Sequence, residues 1–402
     1  MIETSEMKSN EIYAAPPPKL KVLGLGGGGS NAINRMIELG LDGVEFIAAN
    51  SDYQALQTSL APVRIQLGPR TTRGLGAGGN PEVGRAAAEE SEKEIAAALE
   101  GADMVFLTAG MGGGTGTGSI PIAARAARSV GAVTIAIVTT PFSFEMGRRQ
   151  RNASQGLSTL RPHTDTLISI PNDRLLYVAA RDLPLDLAFR LADDVLRQAV
   201  QGITELITEP GLINVDFAHI RRLMKLGGGA LMSIGHGHGE DKAHIAIEQA
   251  LHHPLLESIS LEQAAGVIAN FTGGKDLSLV EISEVLTNLH HQIGSQTEIV
   301  LGVTHDERME GRAQVILVIT GLGAPTLDEV FSGVSTQLNR RTVLAAEPAT
   351  APTPVLTAEP VSQSTVTVNY SMPRIAANDL DVPAFLRRRA RQVDQPPGAS
   401  LS

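Results

Sequence analysis

Short apolar runs alternate with stretches of helical periodicity along the first half of the chain. The apolar runs end at glycine, asparagine or proline, which is typical of buried strands. Between them, apolar residues recur at helical spacing, as at Ile33, Met36 and Ile37. This alternation predicts an α/β fold with a parallel sheet and helices on both faces. The predicted strands are 20–25, 44–49, 102–109, 133–140 and 167–170.

Three glycine clusters interrupt this pattern, at 24–29, 74–81 and 110–118. The first and third directly follow predicted strands, and the second precedes an alanine-rich helix predicted from Glu82 to about Leu99. The third leads into a helix at 120–128 with Pro121 near its first turn. Backbone N–H groups of glycine loops and helix N-termini approach phosphates closely. We therefore expect the clusters to meet at the carboxyl ends of the strands and bind phosphate.

The pattern changes in the second half. A helix predicted at 193–207 has a broad apolar face, as a helix between domains would, and Pro210-Gly211 ends it. A glycine-histidine loop at 235–239 follows. A second, smaller α/β domain then ends near Gly323. Its predicted helices are 240–252 and 278–292, and its strands are 266–272, 297–303 and 314–320, the last two as an antiparallel hairpin.

Composition narrows the class of protein. The 402-residue chain is 43% hydrophobic and 3% aromatic, which predicts an aliphatic core. A formal net charge of −10 and few aromatic rings argue against nucleic-acid binding. The absence of cysteine excludes disulfides and thiol catalysis. Since no apolar run has the length of a signal peptide or a membrane span, we expect a cytoplasmic protein without direct membrane insertion.

Two nucleotide-binding classes remain open from the residues. A P-loop is excluded, because the chain lacks Gly-x-x-x-x-Gly-Lys-Ser/Thr. An NAD-binding Rossmann oxidoreductase remains an alternative, since 24–29 fits Gly-x-Gly-x-x-Gly and Asp52 follows the second strand. That hypothesis leaves the other two glycine clusters without a role. Three converging loops better suit a nucleoside triphosphate.

The sequence 112–119, Gly-Gly-Gly-Thr-Gly-Thr-Gly-Ser, resembles the tubulin-family signature. Much of the chain, from Lys19 to Gly323, is similar to the FtsZ family of bacterial tubulin-like division GTPases. Independent matches lie at 74–85, 141–145, 170–173, 210–218 and 381–388.

The resemblance implies a Rossmann-like GTPase domain joined by a central helix to a smaller C-terminal domain. The implied division is a flexible arm at 1–18, the GTP-binding domain at 19–192, the central helix at 193–210, a C-terminal domain with the catalytic loop at 211–333, a disordered linker at 334–379 and an adaptor-binding tail peptide at 380–402.

The resemblance also implies the residues that bind GTP or GDP, with Mg²⁺ neutralising phosphate charge. Phe189 would stack on guanine, and Asp193 would accept its N–H groups, which adenine does not offer as a pair. Without the resemblance, Asp193 is equally explained as a helix N-cap. The implied nucleotide-binding set is Gly27, Gly28, Gly29, Ser30, Asn31, Gly78, Gly79, Gly113, Gly114, Thr115, Gly116, Thr117, Gly118, Glu145, Arg149, Asn172, Phe189 and Asp193.

In this family a loop of the next subunit completes the active site, so hydrolysis accompanies head-to-tail polymerisation. Here that loop carries Asn214 and Asp216, while the second acidic position is His219. A neutral imidazole orients water but does not replace a carboxylate. We therefore expect Asp216 to be the principal catalytic acid, with slower or more pH-dependent turnover. The structural alternative is that Asp216 caps a helix whose exposed first turn carries His219.

The tail resembles the FtsZ peptide that binds membrane adaptors such as FtsA, with Asp381, Pro383, Phe385, Leu386 and Arg387 as its contact residues. The resemblance implies a cytoplasmic protein at the mid-cell division ring, on the inner face of the membrane. A scaffold that binds GTP but barely hydrolyses it is a further alternative.

Six histidines invite a metal-site hypothesis. Their pairs are predicted on a glycine loop and near helix ends, without a converging carboxylate, so solvated surface histidines are favoured and no metal site is assigned. They are His236, His238, His252, His253, His290 and His291.

Overall fold

The computed structural model describes residues 17–145, 147–176, 184–208, 215–226, 229–253, 264–293 and 297–322. Strands and helices largely follow the apolar pattern of the sequence. The strands are Leu20–Leu25 (β1), Val44–Asn50 (β2), Val63–Gln66 (β3), Met104–Gly110 (β4), Val133–Thr140 (β5), Thr166–Pro171 (β6), Gly229–His238 (β7), Gly266–Gly273 (β8), Glu298–His305 (β9) and Arg312–Leu322 (β10).

The helices connect these strands. They are Gly26–Glu38 (α1), Tyr53–Gln57 (α2), Pro81–Glu90 (α3), Glu92–Leu99 (α4), Thr115–Ser129 (α5), Arg148–Leu160 (α6), Asn172–Leu175 (α7), Leu185–Thr208 (α8), Phe217–Lys225 (α9), Lys242–Leu251 (α10) and Leu279–Ile293 (α11).

The ten strands of the described residues form one sheet in the order β3-β2-β1-β4-β5-β6-β7-β10-β8-β9. Strands β1 to β6 are parallel, as predicted. Their apolar side chains are buried on both faces. One face packs against α1, α8 and α9, through Ile33, Val200 and Ile220 among others. The opposite face packs against α4, α5 and α6.

The C-terminal strands extend the same sheet. β7 continues it through the parallel pairs Leu167↔Gly229 and Ile168↔Ala230. β10 lies antiparallel between β7 and β8, and β9 lies parallel to β8. The predicted hairpin of the last two strands is therefore wrong. Because α11 carries the chain back before β9 begins, β9 pairs in parallel with β8 and leaves the other edge of β8 to β10.

Residues 235–239 were predicted as a loop, and this prediction is also wrong, because β7 runs to His238. Gly235 and Gly237 face α10 so closely that a Cβ atom would lie 1.9 Å from the Ala246 oxygen and 1.8 Å from the Lys242 oxygen. Glycine at alternate positions is thus a strand pattern, in which the small residues allow a helix to lie directly on the backbone.

Three helix predictions need correction. The helix predicted at 82–99 is two helices separated at Ser91, whose hydroxyl accepts from Gly68 N at 3.1 Å and donates to Gln66 O at 3.2 Å. The helix predicted from Asp193 begins at Leu185. The helix predicted from 120 begins at Thr115, which places Pro121 in its interior. Strands β3 and β7 were not predicted.

Candidate nucleotide-binding and catalytic site

Two helix N-termini meet at one edge of the sheet. α1 follows β1 and α5 follows β4, and these strands are parallel neighbours. Neither helix has a side-chain cap or an acidic residue in its first turn. Each therefore presents backbone N–H donors and the positive end of a helix dipole without an internal anion to satisfy them. This arrangement suits a phosphate chain.

The three glycine clusters touch one another at this edge. A Cβ on Gly26 would lie 2.7 Å from Gly116 N, and one on Gly28 would lie 3.1 Å from Gly110 N. These contacts join the first cluster to the third. A Cβ on Gly114 would lie 2.8 Å from Asn80 N, which joins the third cluster to the second. The predicted convergence of the loops is therefore observed.

Some of these glycines have no packing role. A Cβ on Gly27, Gly78, Gly79 or Gly113 would meet nothing within 4 Å. Gly78 and Gly79 have positive φ, of 57° and 70°, which accounts for glycine there. Gly27 and Gly113 have neither a close neighbour nor positive φ. Neither packing nor backbone conformation therefore accounts for glycine at these two positions.

Other residues of the clusters are committed to packing. A Cβ on Gly29 would lie 2.4 Å from Thr108 O, and one on Gly118 would lie 2.0 Å from Pro81 O. Gly116 is similarly close to Gly110 O, at 3.0 Å. Thr117 is buried and its hydroxyl accepts from Gly112 N at 2.8 Å. These residues set the shape of the loops.

Sequence reasoning did not assign two polar residues that hold the clusters. The Ser51 hydroxyl at the end of β2 bonds that of Thr115 at 2.6 Å. Asn152 of α6 donates its side-chain amide to Gly79 O at 3.3 Å and to Gly112 O at 3.2 Å. Neither residue lies in a glycine motif, so only their adjacency in the fold identifies them. By contrast, Ser30 is buried with an unpartnered hydroxyl among the described residues, and Asn31 is exposed.

Two polar side chains, one beside α8 and one within it, lack hydrogen-bond partners among the described residues. Asn172 opens α7 and is buried, with its side-chain oxygen unbonded. Asp193 lies inside α8, which excludes the N-cap explanation. Burial raises the pKa of Asp193 to about 7. A ligand that donates hydrogen bonds to these oxygens would satisfy both.

Aromatic rings lie near Asp193 at the start of α8. Phe189 of α8 is 39% exposed and meets Phe142 edge-on at a centroid distance of 5.5 Å. Phe142 in turn stacks on Phe144 at 5.1 Å. The exposed face of Phe189 is thus held in place and available for stacking.

Glu145, which precedes α6, forms an ion pair with Arg149 in the first turn of α6. Glu145 also accepts from Phe142 N at 2.9 Å. Their observed contacts stabilise the turn after β5, and any nucleotide contact is additional to this role.

Asp216 caps α9, accepting from Ala218 N at 2.9 Å, and is exposed. His219 lies on the exposed first turn of that helix. Asn214 lies outside the described residues. Thr166, the first residue of β6, donates its hydroxyl to Met224 O of α9 at 2.6 Å. α9 therefore lies at the amino end of β6, whereas Asn172 and the glycine clusters lie at carboxyl ends, about 17 Å of strand away.

The histidines are dispersed. His236 and His238 lie on β7 rather than on a loop, which corrects that prediction. Burial lowers the pKa of His236, and burial together with repulsion from His236 lowers the pKa of His253. Within the part of the chain that the structure describes, no three metal-ligating side chains form a cluster. No described helix is both long and apolar enough to cross a bilayer.

Comparisons with known proteins agree with this geometry. The Tubulin/FtsZ family GTPase domain matches residues 19–180, and the FtsZ family C-terminal domain matches 228–323. An empty FtsZ dimer from M. jannaschii is similar, with 44% identity and a TM-score of 0.74 over 77% of this chain and 90% of that chain.

Two more distant structures from Haloferax volcanii share the fold. A GTPγS-bound CetZ2 protofilament has 18% identity and a TM-score of 0.67, over 81% of this chain and 100% of that chain. A GDP-bound CetZ1 monomer has 20% identity and the same TM-score of 0.67, over 79% and 99%.

The fold and the family matches define a tubulin-like GTPase with a parallel-sheet core. The chain belongs to the FtsZ family. It is accordingly a GTP-binding enzyme of cell division. This excludes the oxidoreductase alternative, and Asp52 instead caps α2 by accepting from Ala55 N at 3.1 Å.

Proposed function

We propose that the chain polymerises head-to-tail with GTP bound between subunits, and that these filaments form the cytokinetic ring. One observation carries the proposal: the glycine clusters and α9 lie at opposite ends of the sheet. On this proposal Asp216 serves the GTP of a neighbouring copy and not that of its own chain. In a heterologous repeat, the α9 end of one subunit covers the glycine clusters of the next, and the contact propagates as a filament.

Exposed apolar side chains support this contact. Leu75, in the second glycine cluster, is 79% exposed, and Phe144, after β5, is 54% exposed. Both lie on segments at the nucleotide edge. Leu226, which follows α9 at the opposite end, is also exposed. Burial of such residues against the next subunit stabilises a head-to-tail contact.

The nucleotide roles follow from the site. The first turns of α1 and α5 donate to the phosphates, with Gly27 and Gly113 allowing close approach. Asp193 accepts from guanine N–H groups, Phe189 stacks on the base and Asn172 bonds the sugar or base. Glu145 and Arg149 reach the ribose and phosphate side. The remaining residues of the predicted set complete the phosphate walls.

Mg²⁺ fits this site as an ion held chiefly by phosphate oxygens. The first turns of α1 and α5 offer hydroxyl groups, including Thr115, but no carboxylate. Mg²⁺ commonly keeps several waters and few protein ligands. When bound, it would neutralise phosphate charge.

Catalysis is proposed to combine two half-sites. Backbone donors of one subunit hold the phosphates, and Asp216 of the next orients and polarises the attacking water, with Asn214 beside it. Its helix-capping bond leaves Asp216 exposed, so it is accessible to a neighbouring subunit. His219 supplies a weaker contribution at the second position, because a neutral imidazole does not replace a carboxylate.

The tail peptide around Asp381, Pro383, Phe385, Leu386 and Arg387 is proposed to bind membrane adaptors such as FtsA and so place filaments at mid-cell. These residues lie outside those described. Deleting 380–402 should abolish adaptor binding while leaving GTP turnover unchanged; loss of turnover would contradict a purely tethering role.

Phosphate release and light scattering, followed together after GTP addition, test the enzyme role. Asp216→Ala should bind GTP and form filaments without releasing phosphate at the normal rate. Filaments of the unmodified protein without phosphate release would favour the scaffold alternative. Retained turnover in Asp216→Ala would remove Asp216 from the mechanism.

A further inference from the structure

The last strand of the sheet, β9, has one backbone edge without a partner among the described residues. Glu298 N donates to Ala265 O at 3.3 Å, and Asp306 N donates to Gly273 O at 3.0 Å. Both donors have even numbers, and the parallel register with β8 is continuous between them. Even-numbered residues of β9 therefore bond β8, because N–H and C=O directions alternate along a strand. The N–H and C=O groups of Ile299, Leu301 and Val303 point outward.

Within the part of the chain that the structure describes, both faces of β9 are covered and this backbone edge is not. On one face Gly302 lies beneath α8, where a Cβ would be 1.9 Å from a Leu206 methyl carbon. On the other face Ile299, Leu301 and Val303 join the core cluster that includes Ile293 of α11. Ile299 and Leu301 remain half-buried.

β9 also lacks the features that usually protect an edge. Its sequence, Glu-Ile-Val-Leu-Gly-Val-Thr-His, contains no proline or lysine, and its single carboxylate stands at its start. The opposite edge strand, β3, is only four residues long and carries Arg64. Short strands and charges prevent edge pairing, so β3 is protected and β9 is not.

We propose that β9 pairs with β9 of a second copy of this chain, antiparallel about a two-fold axis. A strand edge is self-complementary in this arrangement, since each outward N–H meets an outward C=O of the partner copy. Leu301 faces its own copy at the axis, and Ile299 faces Val303. The three facing pairs exchange about six hydrogen bonds.

Charge disfavours one of the two neighbouring registers, while Glu298 and Asp306 each also pair with an arginine of their own chain. With Leu301 on the axis, Glu298 stands opposite Thr304 of the second copy. A shift that places Gly302 on the axis would instead set Glu298 opposite Asp306. Like charges directly opposite each other destabilise a strand pair.

The contact is small, because one strand pair buries less area than a stable interface. It therefore becomes effective when many copies are aligned, as in two filaments lying side by side. That last step rests on the proposed polymerisation, whereas the strand pair itself does not require GTP.

The absence of cysteine allows a direct test by disulfide trapping in the full-length, nucleotide-free protein. Facing residues of a hydrogen-bonded pair have Cα atoms about 5.5 Å apart, within disulfide range. Leu301→Cys should therefore give a covalent dimer on mild oxidation. Ile299→Cys is the matched control, because the two copies of position 299 lie about 14 Å apart.

We expect at least about tenfold more dimer from Leu301→Cys than from Ile299→Cys. The double variant Ile299→Cys/Val303→Cys should also form the dimer, which guards against a folding defect specific to Leu301→Cys. Equal trapping of both single variants, or no dimer from either Leu301→Cys or the double variant, would overturn the proposal. Since nucleotide is absent, failure here would leave the head-to-tail proposal unaffected.

Discussion

At the residue scale, Asp193 connects folding to nucleotide choice. Asp193 is half-buried on α8 and has no partner among the described residues, and burial raises its pKa to about 7. The carboxylate is therefore costly in the empty protein. Guanine N–H donors would favour the ionised form and recover that cost.

This predicts a pH dependence of GTP affinity. Because only the ionised Asp193 accepts both guanine donors, affinity should fall about tenfold per pH unit below 7 and level off above it. Calorimetric titration with GTP from pH 5.5 to 8.5 measures this slope. Asp193→Asn should abolish it, whereas Asp194→Asn, which removes a partner of Arg197, should retain it. A slope unchanged in Asp193→Asn would contradict the assignment.

The same group affects the stability of the empty protein. The folded-state pKa lies above the unfolded value, so the folded state binds the proton more tightly and loses stability as pH rises from about 4 to 7. Asp193→Asn should therefore raise the free energy of unfolding at pH 8, by at most about 4 kcal/mol, and change it little at pH 4. A free energy of unfolding that rises in Asp193→Asn at pH 8 would show that the carboxylate does not stabilise the empty protein, as expected for a residue with a binding role.

Substitutions at Gly27 and Gly29, both in the first turn of α1, distinguish an effect on GTP binding from an effect on folding. Gly27→Ala meets no neighbour, so stability should stay within about 1 kcal/mol while the methyl group lowers GTP affinity at least about tenfold. Gly29→Ala would clash with Thr108 O and should cost about 1–3 kcal/mol or more. Thermal unfolding with and without GTP measures both effects. Unchanged GTP affinity in Gly27→Ala would show that no phosphate approaches there.

His219 marks the departure of this chain from the family pattern. His219→Asp should raise GTP turnover roughly tenfold or more and change its pH profile, since an ionised carboxylate takes the place of an imidazole. His219→Asn is the control without a charge. If turnover and pH profile in His219→Asp match those of the unmodified protein, position 219 does not take part in hydrolysis.

At the element scale, the sequence predicts strands best where local pattern and sheet position agree. Strands β1, β4 and β5 are continuous apolar runs buried on both faces, and their bounds were close to those predicted. β7 was not predicted as a strand, and its end was assigned to a loop, because glycine has low strand propensity while the contact with α10 that requires glycine is long-range. The pairing of β9 and β10 failed for a similar reason, since order in a sheet is not encoded locally.

The glycines of β7 allow a test of that explanation. Gly237→Ala should lower the free energy of unfolding by about 1–3 kcal/mol or more, because the methyl group would overlap the Lys242 carbonyl. His238→Ala, at an exposed position of the same strand, should change it by less than about 0.5 kcal/mol. Equal effects in denaturant titration would show that helix contact does not dictate glycine in this strand.

Prediction of the site residues likewise depended on whether the signal was local in the sequence. The convergence of the three glycine clusters was predictable from their positions along the chain and is observed, whereas the nucleotide contact of Asp193 stays a prediction. Ser51 and Asn152 were not identifiable from the sequence, because their roles depend on which loops become neighbours in the fold. The sequence also did not separate glycines that face open space from those that serve packing.

At the scale of the whole molecule, the parallel direction of strands β1 to β6 determines at which end of the sheet each functional element lies. Parallel strands place every glycine cluster at one edge and α9 at the other, so the proposed half-sites are separated within each chain. On the proposed mechanism, GTP hydrolysis depends on contact with another copy. Its rate should rise with protein concentration and with filament formation.

Mixing two inactive variants tests this account most directly. Asp216→Ala keeps the nucleotide half-site, and Asp193→Asn keeps the α9 half-site while binding GTP weakly. In an equimolar mixture, GTP turnover should recover to roughly a quarter of the unmodified rate, because about one contact in four joins two intact halves. Phosphate release that stays at the level of the separate variants would contradict an active site shared between subunits.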